Sequence, residues 1–170
     1  MTLAALNALD EDAFTATIGP VFEHSPWVAR AVAGMRPFAN LHALESALAA
    51  ELRGAGEERQ TALIAAHPDL AGRLAREGRL TPASQAEQAG AGLDALSDDE
   101  RARFDRLNAT YRARFGFPFV ICVRHQTKDS ILEAMAQRVQ QPRDVEIATA
   151  LHEIAAIARL RLHDLVHDTE

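Results

Sequence analysis

Apolar residues recur along this chain at three- and four-residue spacing and are interrupted by Gly, Pro and capping residues, a pattern that predicts helices almost throughout. Asp10 is placed to cap a helix carrying Phe14 and Ile18, which Gly19-Pro20 ends. Pro26 opens a helix over Trp27–Met35 that Pro37 closes, and Asn40 caps the next, with Leu41, Leu44 and Leu48 on one face. Gly54-Ala55-Gly56 separates that helix from one over Glu57–Ala66, which Pro68 brings to a stop. Thr81-Pro82 supplies an N-cap with proline in the first turn. Ser97-Asp98-Asp99-Glu100 reads as a capping box, and Phe104, Leu107, Tyr111 and Phe115 follow on one face. Thr127 caps a helix over Lys128–Gln141, and Pro142 restarts the chain into the last and longest helix. With no internal repeat and no Ser/Gly linker, the pattern predicts a single all-α domain over residues 1–170.

One stretch departs from this pattern. Phe115-Gly116-Phe117-Pro118-Phe119-Val120-Ile121-Cys122-Val123 is aromatic and β-branched and contains Gly and Pro, so an extended segment is expected over Phe119–Val123. Either it is a buried connector, or its backbone groups, lacking a neighbouring strand, find a polar ligand as partner.

Composition narrows the classes. Eighteen Lys and Arg against 24 Asp and Glu leave a net charge of −6, and no basic block offsets it, so binding along a nucleic-acid backbone is not expected. No apolar run approaches the roughly 18 residues that span a bilayer. The N-terminal residues lack the basic and apolar regions of a secretory signal. A single cysteine, Cys122, allows no intrachain disulfide and fits a reducing compartment. The C-terminal Asp168-Thr169-Glu170 is not a peroxisomal address. The expectation is a cytoplasmic protein that binds neither nucleic acid nor membrane.

Few residues stand out as chemistry. In the last helix, Ile147, Leu151, Ile154, Ala158 and Leu165 form one stripe, and Arg161 falls inside it, about 40° from its centre. A buried guanidinium keeps its proton, so it needs an anion, either a protein carboxylate or the carboxylate of a substrate. His67 ends a helix immediately before Pro68-Asp69, where a forced reversal can aim an imidazole into a cavity, or where it simply interacts with the helix dipole. Ser84 and Glu87 match the spacing of a capping box; alternatively Ser84, Glu87 and Gln88 line one face toward a ligand. His163 and His167 have the i, i+4 spacing of a metal pair on an outer face, which reads as accidental. Cys122 has no activating base nearby in sequence and reads as a small apolar residue. No phosphate loop, dinucleotide fingerprint, Cys-x-x-Cys site or nucleophile elbow is present.

Taken in order, Phe22-Glu23-His24-Ser25-Pro26-Trp27, His67-Pro68-Asp69-Leu70-Ala71-Gly72, Ser84-Gln85-Ala86-Glu87-Gln88, Ala91-Gly92-Leu93, Asn108-Ala109-Thr110-Tyr111 and Phe115 through Arg124 resemble the 2-oxo-4-hydroxy-4-carboxy-5-ureidoimidazoline (OHCU) decarboxylase family. That resemblance extends over essentially the whole chain. His125 stands where the family often has glycine. It implies an all-helical fold, a homodimer, and cofactor-independent, stereospecific decarboxylation of OHCU to (S)-allantoin in urate degradation, with no metal. It implies that His67, Glu87 and Arg161 are catalytic. Substrate contacts would come from Pro68, from Ser84, Gln85, Ala86 and Gln88, and from Phe119, Val120, Ile121, Cys122 and Val123. The competing readings are a non-catalytic helical binding domain with Arg161 and Glu87 as a buried ion pair, and a related lyase or hydrolase acting on another ureido or imidazole acid. A metal hydrolase built on His163 and His167 is the most distant.

Overall fold

The structure, a computed structural model, describes residues 1–168; Thr169 and Glu170, part of the C-terminal tripeptide considered above for targeting, lie outside the described residues. Among the described residues there are ten helices: α1 (Leu3–Asn7), α2 (Glu11–Ile18), α3 (Trp27–Val32), α4 (Leu41–Gly54), α5 (Gly56–Ala65), α6 (Arg73–Arg76), α7 (Pro82–Gly90), α8 (Asp98–Phe115), α9 (Lys128–Arg138) and α10 (Arg143–Leu165). The one β feature among them is an isolated bridge between Thr2 and His167, so the fold is all-α. No helix among these residues is long and apolar enough to cross a membrane.

Capping chemistry sets most of the boundaries. The Asp10 and Asn40 carboxylate and amide oxygens accept the N–H groups of Ala13 at 2.7 Å and Ala43 at 2.8 Å, satisfying donors that the first helical turn leaves unpaired. Ser97 and Glu100 exchange hydrogen bonds as a complete capping box on α8, and Thr127 and Ser130 do the same on α9. Thr81 is the cap of α7. Ser84 therefore lies inside that helix, and the capping-box reading of Ser84 and Glu87 does not hold. Helix α9 stops at Arg138, three residues short of the expected end, and the chain leaves it through tighter turns in which the Gln140 and Gln141 N–H groups donate to the Gln137 and Arg138 carbonyls. The expected α10 stripe is buried at Ile147, Leu151, Ile154 and Ala158, but Leu165 is exposed and Leu162 is buried instead. Leu165 is the last residue of the helix, and the next residue, Val166, is buried in its stead.

The chain forms two compact units, one running from Met1 to Ala66 and resuming at Ile154, the other spanning His67–Glu153. In the first, α2 packs on α3 and α3 on α4, and Phe14, Ile18, Val28 and Leu44 are completely buried. In the second, α8 packs on α9 around an aromatic cluster. Tyr111 lies edge-on to Phe119 with ring centroids 5.3 Å apart, and Phe115 stacks on Phe117 at 5.8 Å, geometries that ring quadrupoles favour.

Candidate active site

The residues singled out from sequence fall into three places: the loop after α5, one face of α7, and the irregular segment after α8, all in the His67–Glu153 unit; Arg161 belongs to the other. His67 follows the end of α5, and its side chain is buried. The loop it opens is tightly specified. Ala71 adopts φ +51°, and a Cβ on Gly72 would come within 2.7 Å of the Asp69 Cβ, so position 72 needs glycine for close approach.

Four side chains hold this loop, Arg76 among them, its Nη1 donating to the Ala71 carbonyl at 3.1 Å. Gln88 Oε1 accepts the Ala71 N–H at 2.9 Å. Asn108 Nδ2 donates to the Leu70 carbonyl at 2.9 Å. Arg112 Nε donates to both Asp69 carboxylate oxygens, at 2.9 and 3.1 Å. The Gln88 oxygen is thus engaged by the loop that carries His67. On α7, Ser84 and Gln88 are buried and Glu87 is partly buried, whereas Gln85 and Ala86 are exposed. Helical spacing accounts for this split, since 84, 87 and 88 share a face that 85 and 86 do not.

Glu87 is paired with Arg124, whose guanidinium lies 3.5 Å from the carboxylate. Arg124 sits in a 3₁₀ turn over Val123–His125, so the extended segment ends at Cys122, one residue earlier than expected. Phe119, Val120, Ile121 and Val123 are buried. Two of the backbone groups here are taken by protein side chains. The Val120 carbonyl accepts from Arg138 Nη1 at 2.8 Å, and the Cys122 N–H donates to Glu153 Oε2 at 2.8 Å. Unpaired strand-like backbone is in this way satisfied without a sheet. Burial pushes the Cys122 thiol up, and the Glu153 and Glu87 carboxylates push it further, which keeps it protonated and unreactive at neutral pH.

Behind the segment lies a network invisible in the motif reading. Glu146, 0% exposed, receives Arg138 through Nε at 2.9 Å and Nη2 at 2.5 Å, and the Tyr111 hydroxyl donates a short hydrogen bond to the same carboxylate. The Arg138 guanidinium also lies over the Phe119 ring, 4.3 Å from its centroid. Burial first, and the Glu146 hydrogen bond second, push the Tyr111 phenol far above its usual range.

Arg161 is buried as its place on the stripe required, 5% exposed. Its Nη1 donates to Glu23 Oε2 at 3.0 Å and to the Val21 carbonyl at 3.4 Å. Glu23 precedes His24, which adopts φ +47°, and the Ser25 hydroxyl donates to the Glu23 carbonyl at 2.9 Å. His163 contacts Glu45 at 2.5 Å, and Asp168 accepts the Leu41 N–H at 2.9 Å. Among the described residues no group of three or more His, Cys, Asp and Glu is placed to hold a metal ion.

Sequence reasoning missed Glu23, Asn108, Arg112, Arg124, Arg138, Glu146 and Glu153 as parts of these constellations. Glu146 flanks the buried stripe of α10 beside Ala150 and Ile157, so the test that exposed Arg161 applies to it as well. Asn108 lies three residues before Tyr111, on the buried face of α8.

The chain matches the family model described as OHCU decarboxylase over residues 7–163. It is 46% identical over 162 residues to a 2-oxo-4-hydroxy-4-carboxy-5-ureidoimidazoline decarboxylase of Haloferax volcanii, covering 95% of this chain and 94% of that one. A protein of the same name from Amia calva is 42% identical over 166 residues, 98% of this chain and 95% of its own. The crystal structure of (S)-allantoin synthase is similar with a TM-score of 0.78 and 28% sequence identity, over 98% of this chain and 54% of that chain. The chain thus spans about half the length of that structure.

Proposed function

The chain belongs to the OHCU decarboxylase family, and from that premise we propose that residues 1–170 act as one catalytic domain converting OHCU to (S)-allantoin and CO2, stereospecifically and without metal or organic cofactor. It is a carboxy-lyase of the decarboxylation step in urate degradation. The observation that carries the reading is the 46% identity, over 94% of its length, with a relative named for this decarboxylation. In the structure Arg161 pairs with Glu23 and Glu87 with Arg124.

The substrate's chemistry makes the absence of a cofactor reasonable. The departing carboxylate of OHCU sits on a ring carbon that also carries a hydroxyl and adjoins a C=N carbon. When the bond to CO2 breaks, its electron pair flows into that C=N. The hydroxyl then becomes a carbonyl, and a proton is added to the neighbouring ring carbon, which fixes the configuration of allantoin. An organic cofactor serves as an electron sink where the substrate has none.

In this reading Arg161, oriented by Glu23, holds an anionic or carbonyl oxygen of the substrate through its planar fork. Glu87 and His67 contact the ring hydroxyl, and His67 moves the proton as the carbonyl forms. Pro68, Ser84, Gln88 and the Phe119, Val120, Ile121, Cys122 and Val123 segment contact the ring and ureido amides, whereas Gln85 and Ala86 lie off that face of α7. The enzyme works as a homodimer in the cytoplasm. Turnover of freshly generated OHCU by His67→Ala tests the scheme. A loss of about 10²–10⁴ in kcat is expected for a general acid–base group. A folded His67→Ala protein with near-wild-type turnover would remove His67 from the reaction. Sedimentation velocity tests the dimer, and activity after exhaustive chelation tests the metal-free reaction.

A further inference from the structure

We infer that α8 is the positioning element of the site, with Asn108 and Arg112 setting the loop that carries His67 and Tyr111 setting the Phe119–Val123 segment through Glu146 and Arg138. The inference rests on the function proposed above. Its geometric basis is a juxtaposition on one helix. Asn108 and Tyr111 are three residues apart and share the buried face of α8, so their side chains leave the helix side by side. Asn108 donates to the Leu70 carbonyl and Arg112 grips Asp69, fixing two of the residues that immediately follow His67-Pro68. Tyr111 donates to Glu146, Glu146 receives Arg138, and Arg138 donates to the Val120 carbonyl.

Asn108 is the telling residue. Its Oδ1 is buried with no hydrogen-bond partner among the described residues, a cost that an apolar side chain at the same place would avoid. Packing alone gives no reason for asparagine here; the bond from Nδ2 to Leu70 does. The same holds for Tyr111, where phenylalanine would fill the aromatic cluster but would not reach Glu146. Because α8 is one continuous helix of 18 residues, the two straps keep the His67 loop and the extended segment in a fixed register with each other. Neither residue touches substrate in this account; both act through the backbone that does.

The experiment compares Asn108→Ala, Arg112→Gln and Tyr111→Phe with the wild-type enzyme on OHCU, reading kcat and KM separately, and follows amide exchange of residues 67–72 by mass spectrometry. Misplacement of a reacting group by about 1 Å costs up to about 10²-fold. Asn108→Ala is therefore expected to lower kcat by roughly tenfold or more at an intact fold, with faster exchange in 67–72. Arg112→Gln, on an exposed side chain, is expected to lower kcat by roughly threefold or more. Tyr111→Phe is expected to raise KM by roughly threefold or more with kcat nearly preserved, since the segment it sets is assigned to binding. A merely structural role would change melting temperature and leave this kcat-against-KM split absent. If Arg112→Gln and Tyr111→Phe leave both constants within twofold, or exchange in 67–72 is unchanged in Arg112→Gln, the inference is overturned, whether or not Asn108→Ala folds. Absence of wild-type turnover would instead remove the proposed function, and the exchange readout would still decide the positioning.

Discussion

Two buried Arg–Glu pairs, one in each unit, invite comparison. Arg138 and Glu146 form a dense knot, with two guanidinium nitrogens and a tyrosine hydroxyl on one carboxylate, a third nitrogen on a backbone carbonyl and a ring beneath the cation. Arg161 Nη1 donates to Glu23 Oε2 at 3.0 Å and to the Val21 carbonyl at 3.4 Å, and the carboxylate comes from a short segment next to a residue with positive φ. Burial is nearly the same in the two cases and so cannot tell a structural pair from a functional one. Both arginines reach a backbone carbonyl; what differs is that Arg138 fixes the Phe119–Val123 segment, whereas Arg161 is the residue proposed to hold substrate.

The largest effect expected from this contrast is on stability. Arg138→Ala strands the Glu146 carboxylate without its cation, and a loss of about 3–5 kcal/mol is expected by denaturant titration. Replacing both partners by apolar residues, Arg138→Met with Glu146→Leu, should recover most of it. A small loss in the single variant would mean the knot is not the anchor described here.

Arg161→Lys sharpens the other half. The charge opposite Glu23 survives while the planar fork is lost, so the fold should persist and kcat/KM should fall by at least about tenfold, or about 1.4 kcal/mol of transition-state stabilisation. Unchanged kcat/KM in a folded protein would argue against substrate binding by that fork.

A smaller effect concerns pH. Tyr111 holds its proton more tightly folded than unfolded, its folded value lying above the ordinary one. Its contribution is therefore fully present below the unfolded value of about 10 and is lost as pH rises beyond it, since the unfolded state then binds fewer protons. Wild-type stability should fall above that pH, and Tyr111→Phe should flatten this part of the curve. The smallest expected change is Ser97→Ala, which removes one cap of α8 and should cost about 1 kcal/mol, measurable as a shift in denaturation midpoint with kcat unaltered.

The sequence made the helices legible because their ends carry chemistry of their own. Asp10, Asn40, Thr81, Ser97 and Thr127 all cap as read. Helices α1 and α6, of five and four residues, are too short for periodicity to register. Arg161 was legible because α10 is long enough to define a stripe, whereas Arg138 stands at the end of a shorter helix, where a charged residue is ordinarily read as favourable to the dipole. The partners were not legible for a further reason. Glu23 lies 138 residues from Arg161, Glu153 lies 31 from Cys122 and Asn108 lies 38 from Leu70, and no local rule links residues across such separations. The irregular backbone of Phe119–Val123 was foreseen, but not that Arg138 and Glu153 would meet its polar groups.

The most direct test of the account is a coupled stereochemical assay. OHCU is generated in place from urate with urate oxidase and hydroxyisourate hydrolase, this protein is added, and circular dichroism follows the allantoin formed. The account predicts a rapid rise to the signal of (S)-allantoin alone, unaffected by a chelator. Racemic product appearing no faster than in the protein-free control would contradict it.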